Sequence, residues 1–567
     1  MPRIRGGLAA AVVLTSLAFL TPGGSAVAED VTLPAMRMPL GPAELEATPG
    51  AIQTLAPGVT YQKYRQGQAS DVWSVEVEIP YKSDPPVEPP LKSWAVGNKT
   101  FANDLVVALA ENNFVGRVDS RQTKVLKKLH DDYPVGEVLY EHKVRVGRFA
   151  PSDQAGANQL KGLVESAGFS ARIAYTGQDG ADTTGPWEVR VVKVDPTANV
   201  AFQAVHGKDV RAGETVRDMA AAAGALVAVN ASEFEIKKPV PEGEEDPQPL
   251  VFDGDPEGLH VNDGHLVSEP NNGRTALLLE GPGARVRVDE VSSKTQVTAA
   301  DGQIRQIDGI NRVPGRNRGC GGIGTERRED GKGKNPETEA WRGALCVDPN
   351  EVVVFRPEWG ATTPVTPGAV DVVVNSGWKV VAIRPPGGAI PATGRVMQGI
   401  GEGADWLRAH ARPDDVFKPG TTITDSGGKS LSGSTFDAVA GGGPALVRGG
   451  NILINTVQNG MHNPTYGTPT GNIVERHPRT LAGVTAAGEL LLVTIDGRDP
   501  GISIGVTVPE AAEVMKWLGA KDAVSLGSGG DTTLIAKSVL YNRPMDSWTA
   551  SGPTERRVSN AVVVVPK

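Results

Sequence analysis

The sequence contains few of the residues that usually build metal and redox centres. Its 567 residues include two cysteines and eight histidines, and the histidines are scattered without the paired spacing of metal ligands. We therefore predict neither a metal site nor a cofactor. Aromatic residues make up 5%, and the net charge of -9 argues against bulk attraction to nucleic acid or an anionic membrane. Any anion must be bound by a local group of arginines.

The sequence also lacks an apolar run long enough to cross a bilayer. The apolar run at 8–20 follows Arg3 and Arg5 and precedes Ala26-Val27-Ala28, the pattern of a signal peptide with a small-residue cleavage site. We predict that residues 1–28 are removed. The mature chain is then secreted, with the cell wall as a candidate location, and it carries no membrane anchor.

The only cysteines, Cys320 and Cys346, lie close together in the sequence. Outside the cytoplasm such a pair favours a disulfide, which on the chain-entropy argument stabilises by about 3 kcal/mol. A metal site is the alternative, but it has no nearby histidine.

Glycine and proline are abundant, and the length indicates two to four domains. Residues 29–71 are rich in proline and poor in periodicity, which predicts an extended lead-in. Residues 72–176 show the order strand, helix, strand twice, which predicts a ferredoxin-like βαββαβ module with two helices on one face of a four-stranded sheet. Residues 187–567 contain more strands than helices and predict a mixed-sheet α+β domain.

Two apolar runs near the C-terminus each finish in glycine and charge. The run from Leu490 to Ile495 ends in Asp496-Gly497-Arg498, and a second ends in the stretch 527–533. Strand ends commonly carry catalytic groups. With Arg479 just upstream, this pattern predicts a site for an anionic substrate, although each motif alone is also typical of an ordinary turn.

The small module resembles a known family. The stretch Val144 to Phe149, followed by Ala155, Ala157 and Leu160, is similar to the SPOR module, which binds glycan strands of bacterial peptidoglycan. The resemblance implies peptidoglycan as a partner of residues 72–176. The alternative is a spacer with the same small fold.

The larger domain resembles the phosphodiester glycosidase family through six motifs in the same order. They are Asn230-x-x-x-Phe234, Gly442-Gly443-Pro444, Pro478-Arg479-Thr480, Asp496-Gly497-Arg498, Gly529-Gly530-x-Thr532-Thr533 and Asn560. The resemblance implies hydrolysis of the bond between a sugar's anomeric carbon and a phosphate. The expected substrate is a sugar phosphodiester or a cell-wall polymer.

The residue types suit that chemistry. Arg479 and Arg498 can hold phosphate oxygens, and a loop containing Gly529 and Gly530 lets backbone amides approach an anion. A carboxylate is needed to activate water or to support an oxocarbenium-like state. The candidates for it are Asp496, Asp531 and Glu233, while Asn230, Thr532 and Asn560 are candidate substrate contacts.

One departure from the family pattern concerns the carboxylate at the strand end. The family usually has Asp where this chain has Gly527, and the nearest carboxylate follows four residues later, at Asp531. We expect a carboxylate moved by four residues to lie elsewhere in space. Either Asp531 or Glu233 compensates, or the domain is a catalytically inactive receptor for a glycan or phosphodiester.

Overall fold

A computed structural model shows a strand-rich α+β protein. It describes residues 36–82, 86, 91–124, 138–237, 240, 243–280, 285–319, 326–329, 342–431, 436–463, 468–469, 471–545, 548–549 and 552–567. The predicted signal peptide and Cys320 lie outside these residues; Cys346 is buried in the strand Leu345–Val347, and its disulfide stays a prediction. No helix within the described ranges is long and apolar enough to cross a membrane.

Helices are few in the described part of the chain, and most are short. They are Lys99–Glu111, Gln154–Ser166, Val216–Ala222, Gly401–His410, Gly471–Val474 and Val508–Trp517, with single 3₁₀ turns at Pro357–Trp359 and Gly529–Asp531.

A nine-stranded sheet, called here the central sheet, organises the larger domain. Its spatial order is Ala47–Pro49, Val59–Gln66, Trp187–Val194, Leu490–Ile495, Arg479–Thr485, Ala520–Ser528, Ala445–Arg448 and Asn451–Ile452, with Gln53–Ala56 beside Val59–Gln66. Alternating side chains go to opposite faces. Leu491 and Val493 pack with helix Val508–Trp517, while Leu490 and Leu492 join a different core.

The second core lies between the central sheet and a five-stranded sheet, called here the second sheet. The second sheet has the order Val200–His206, Asn560–Pro566, Val227–Asn230, Leu534–Ala536 and Val539–Leu540. Val229 and Val562 of this sheet pack in one cluster with Leu492 of the central sheet. Two sheets packed face to face hold the ends of their strands in fixed relative positions.

The predicted lead-in is wrong for residues 47–66. These residues form three strands of the central sheet, and Val59–Gln66 pairs along its whole length with Trp187–Val194. The larger domain therefore starts before the small module and continues after it. The sequence feature that indicates these strands is the alternation of apolar residues such as Val59 and Tyr61, which pack in the second core.

The small module has strands and helices in the order β-α-β-β-α-β. Its antiparallel sheet has the spatial order Gly116–Lys124, Val138–Phe149, Trp73–Val77 and Ala171–Tyr175. Helices Lys99–Glu111 and Gln154–Ser166 share one core with Val75 and Val77.

The opposite face of the module's sheet is polar and buried. Glu76, Lys143 and Arg145 are each at most 5% exposed and form ion pairs that extend to Asp179, and Lys143 also faces Glu475 of the larger domain. This face is therefore an interface within the chain.

The remaining strands form two further sheets and several short pairs. A seven-stranded sheet has the order His265–Ser268, His260–Asn262, Phe436–Ala440, Arg274–Glu280, Arg285–Thr298 and Ile304–Ile307, with Lys418–Thr424 beside Arg285–Thr298. A five-stranded sheet has the order Gly309–Ile310, Val352–Phe355, Arg395–Gly399, Val370–Val374 and Val380–Arg384. The short strands are Ile79–Tyr81 with Leu91–Ser93, Glu214–Thr215 with Arg557–Val558, His462–Asn463 with Thr468–Pro469, Trp548–Thr549 with Gly552–Pro553, and Arg316–Arg318, Leu345–Val347 and Arg327–Arg328 together.

Buried charge is concentrated where these sheets meet. Arg312 binds Glu269 and Glu351, each with an N···O distance of 2.6 Å. Glu326, which is 2% exposed, accepts a hydrogen bond from Asn317 through Oε1, while its Oε2 has no partner among the described residues. Burial raises the pKa of Glu326 to about 7.

We expect Glu326→Gln to stabilise the protein at pH 8 but not at pH 4. A carboxyl group with a higher pKa in the folded state than in the unfolded state makes the protein less stable as pH rises from about 4.5 to about 7. The reason is that the unfolded chain releases the proton at a lower pH than the folded chain. Glutamine keeps the oxygen acceptor and has no proton to lose. The melting temperature at pH 8 should rise by roughly 2–5 °C. The exposed neighbour Glu329→Gln is the control, and an equal shift at both pH values would contradict the prediction.

Candidate functional site

Three strands of the central sheet bring the predicted site loops to one end. Arg479, the first residue of its strand, lies opposite Ile495 on one side and Ser528 on the other. The Asp496–Arg498 turn and the Gly529–Asp531 turn therefore leave the sheet side by side. The strand Val227–Asn230 of the second sheet ends at the same place, since Asn230 Nδ2 donates to the Gly527 carbonyl at 3.2 Å.

Asn230 joins the two sheets at this point. Besides its bond to Gly527, its Oδ1 accepts from the Thr480 hydroxyl at 2.5 Å and from the Thr533 amide at 3.1 Å. The side chain is fully buried. Because both ends of the amide are bound within the protein, the structure favours a role in holding the site together over the predicted contact with a sugar.

Asn560 has a similar position on the neighbouring strand. Its Oδ1 accepts from the Ser232 amide at 2.8 Å, and its Nδ2 lies 3.2 Å from both the Ser232 hydroxyl and His260 Nδ1. Burial lowers the pKa of His260 to about 3, so this ring is neutral. Asn560 thus holds the start of the loop that carries Glu233, and its contact with substrate stays a prediction.

The glycine turn is tightly constrained. Gly529 has a φ of +73°, and its amide donates to the Pro478 carbonyl at 2.8 Å. A Cβ at this position would lie 2.7 Å from Arg498 Nη2, so only glycine lets the guanidinium approach the turn. Gly530 is buried in the same turn, and the Thr532 hydroxyl oxygen is buried without a partner among the described residues.

Asp531 returns its carboxylate to the end of the strand. The 3₁₀ turn Gly529–Asp531 places Asp531 Oδ2 3.3 Å from the point where a Cβ of residue 527 would lie. We expected the Asp531 carboxylate to lie away from the place that an aspartate at position 527 would occupy. That expectation is wrong, because the 3₁₀ turn folds the chain back toward the end of the strand. A Cβ at 527 would also lie 2.7 Å from Asn230 Nδ2, which leaves no room for a second side chain.

Asp531 and Glu233 form a pair of interacting carboxyl groups. Asp531 is 2% exposed and accepts from Arg556 Nη1 through Oδ1 at 2.8 Å, while Glu233 lies 2.6 Å from Arg342 Nη2. Burial and the charge of Glu233 raise the pKa of Asp531 to about 7, against the opposing effect of Arg556 and Arg498. The Asp531 carboxyl group can therefore take up or release a proton near neutral pH.

Arg479 is held by the protein itself. It is 1% exposed, and its Nε donates to the Val506 carbonyl at 2.7 Å, while its Nη atoms donate to the side chain and carbonyl of Asn472 and to the Glu475 carbonyl. Burial lowers its pKa to about 9. Phosphate binding by both arginines stays a prediction; Arg498, half-buried beside Gly529, is the more exposed of the two.

Asp496 does not join the carboxylate pair. Its Oδ2 binds Arg190 Nη1 at 2.5 Å, and its Oδ1 accepts from the Arg543 amide at 3.1 Å. Burial raises its pKa. No bond joins it to Asp531 or Glu233 in the part of the chain that the structure describes. Asp496 forms an ion pair with strand Trp187–Val194 instead, and its catalytic role stays a prediction.

Arg342 and Arg556 are the site residues that the sequence did not reveal. Each is the ion-pair partner of one carboxylate, and each lies far along the chain from it. Neither is part of a motif or a periodic run, and only the folded contact identifies them. Within the described ranges no group of three or more His, Cys, Asp or Glu is arranged to hold a metal ion.

Comparison with known proteins supports the family resemblance for part of the chain. Residues 368–565 match the family model for phosphodiester glycosidase. This range includes Arg498, Asp531 and Arg556 but not Glu233 or Arg342. No curated protein matches the chain.

Several solved structures resemble this one. A candidate exported protein from Burkholderia pseudomallei K96243 is 29% identical with a TM-score of 0.75, and the match covers 94% of this chain and 99% of that chain. A hypothetical protein from Synechocystis is 15% identical with a TM-score of 0.50, covering 92% and 81%, which shows the fold alone. The third structure is the catalytic domain of zebrafish N-acetylglucosamine-1-phosphodiester alpha-N-acetylglucosaminidase, auto-inhibited by its pro-peptide. It is 13% identical with a TM-score of 0.31, and the match covers 80% of this chain and 84% of that chain.

We expect Arg479→Ala to lower the free energy of unfolding of the protein. The substitution leaves the carbonyls of Val506, Asn472 and Glu475 without their donor and opens a buried gap, at a cost of about 3 kcal/mol or more. Arg498→Ala, at a half-buried position, should cost less. Denaturant unfolding of both variants tests this. Equal and small losses would return Arg479 to the role of a ligand-binding residue.

Proposed function

We propose that the chain is a secreted hydrolase that cleaves the sugar–phosphate bond of a glycosyl-1-phosphodiester, such as a GlcNAc-type or cell-wall substrate. The observation that supports this most is the carboxylate pair Asp531 and Glu233 beside Arg498. The family match over residues 368–565 points to the same reaction class. Secretion is supported by the predicted signal peptide and by the similarity to a candidate exported protein.

The arrangement suggests a division of roles. The leaving phosphate is a stable anion and needs a cation more than an acid, and Arg498 is placed to supply that cation. A carboxylate with a pKa near 7 is a stronger base than an ordinary one, so Asp531 takes the proton from the attacking water. Glu233, paired with Arg342, faces the positive charge that develops on the sugar.

The reaction then balances without a further reagent. The water oxygen bonds to the anomeric carbon, and the bond from that carbon to the phosphate oxygen breaks, with its electron pair leaving on the phosphate. Asp531 holds the water proton until it passes to the phosphate monoester or to solvent. The products are the free sugar and a phosphate monoester.

Activity is expected to depend on the ionised form of Asp531. Turnover should rise as pH increases through about 7, since the base must lose its proton. Asp531→Asn should lower kcat by about 10²- to 10⁴-fold and remove this rise. Release of the phosphate-linked group from an aryl- or sugar-linked GlcNAc-1-phosphodiester is the assay.

Asp522→Asn is the matched control for that variant. Asp522 lies near the start of strand Ala520–Ser528, at the end away from Asp531, and accepts from the Gly449 amide, so its substitution should leave kcat unchanged. A folded protein that binds a sugar phosphate but releases nothing from several sugars would favour the alternative, a catalytically inactive receptor. Release that is unaffected by Asp531→Asn would contradict the assigned base.

Peptidoglycan binding by residues 72–176 is a second proposal. The βαββαβ order and the strand order support a ferredoxin-like, SPOR-like module. Because the polar face of its sheet is buried against the larger domain, glycan would have to contact the helices or the sheet edge. The mature protein should sediment with purified sacculi. Full recovery of the protein in the supernatant at low salt would contradict the proposal. The experiment uses the whole chain because an isolated module would expose Glu76 and Lys143, which are buried in the full protein.

A further inference from the structure

The segment 475–479 supports both loops of the site. The Pro478 carbonyl accepts from the Gly529 amide at 2.8 Å, which fixes the glycine turn. His477 exchanges two backbone hydrogen bonds with Val506, at 3.2 and 3.1 Å. A Cβ on Gly497 would lie 2.6 Å from the Pro478 nitrogen, so the residue before Arg498 packs directly on this segment.

The small module holds the same segment from the other side. Arg172 Nη2 lies 3.2 Å and Lys143 Nζ 4.0 Å from Glu475 Oε1. The Tyr175 hydroxyl, at the end of the module's last strand, donates to the Ile504 carbonyl and lies 3.0 Å from the Arg476 carbonyl. The Arg476 amide in turn donates to the Gln178 carbonyl at 2.7 Å.

Glu475 links these two sets of contacts. Its Oε1 faces the cations of the module, while its Oε2 lies 3.6 Å from His477 Nε2. Burial lowers the pKa of His477 to about 4, and the charges of Arg498 and Arg479 act in the same direction. The ring is therefore neutral, and its Nδ1 is buried without a partner among the described residues. The ring thus lies between Glu475 and the site arginines, while the His477 backbone is held by its two hydrogen bonds to Val506.

We propose that Glu475 is a positioning residue of the site and that the small module is part of the catalytic unit through it. Arg172 and Lys143 hold the Glu475 side chain, and the Glu475 carbonyl accepts from Arg479 Nη2 at 3.2 Å. The segment 475–479, fixed at this end, then sets the position of Arg498 and of the glycine turn. The inference rests on the proposed function for its kinetic consequence. Its structural part, the coupling of the module to the site loops, can be measured without any activity.

The test compares two arginines of the module's sheet. Arg172→Gln removes the contact to Glu475 together with two hydrogen bonds to Glu76 inside the module. Arg117→Gln removes contacts to Ser74, Asp119 and the Gly147 carbonyl, all inside the module. The two side chains are similarly exposed, at 29% and 25%. Both variants should weaken the module, but only Arg172→Gln breaks the path to the site.

Hydrogen exchange followed by mass spectrometry is the first readout. Arg172→Gln and Glu475→Gln should both speed exchange in peptides covering 497–505 and 528–533, while Arg117→Gln should not. Equally faster exchange in these peptides in all three variants would overturn the proposal. Unchanged exchange in these peptides in Arg172→Gln and Glu475→Gln would also overturn it. This outcome does not depend on whether the protein turns over any substrate.

Steady-state kinetics on the phosphodiester substrate is the second readout. We expect Arg172→Gln and Glu475→Gln to lower kcat about tenfold with a smaller change in KM, because a shift of the site loops by a fraction of an ångström misplaces the charge that the transition state needs. Arg117→Gln should keep the wild-type kcat. Wild-type kcat in all three variants would also overturn the proposal. If the wild-type protein shows no turnover, the proposed function fails while the exchange experiment still decides the coupling.

Discussion

Two acidic groups held together away from water repel each other unless one keeps a proton or cations surround them. Asp531 is in this position beside the partly exposed Glu233, and Arg556, Arg342 and Arg498 supply the cations. The rest of the site serves this arrangement. Asn230 ties the strand before Glu233 to the strand before Asp531, and the glycine turn brings the second carboxylate back to the sheet. The fold maintains a charge balance that an open surface would not need.

Local patterns in the sequence were enough to locate the loops of the site. The strand Leu490–Ile495 has the bounds of the predicted apolar run, and the strand Ala520–Ser528 ends in the predicted glycine stretch. Both predictions rest on apolar spacing and on glycine or proline at the ends, which act within a few residues. The same reasoning gave the repeated strand–helix–strand order of the small module. Strands, helices and turns that depend on residues close together in the sequence could therefore be predicted.

The role of each polar side chain could not be predicted in the same way. Arg479 and Arg498 look equivalent in sequence, yet one is surrounded by carbonyl groups and the other lies beside a glycine turn. Asp496 looked like the natural carboxylate because it follows a strand directly, but Arg190 from another strand binds it. These outcomes depend on contacts between distant parts of the chain. The position of Asp531 depends on a turn whose geometry the spacing alone did not show.

The strand that begins at Asn560 is the last in the chain, and it lies between Val200–His206 and Val227–Asn230 in the second sheet. The strand between these two is therefore supplied by a segment that lies more than 300 residues along the chain from both of its neighbours, since Ser232 and Asn560 are 328 residues apart. Until the segment 560–566 pairs with both of them, the strand Val227–Asn230 has no partner on that side, and the loop with Glu233 has no support from Asn560. Assembly of the site thus waits for one long-range pairing, however much of the rest has already folded.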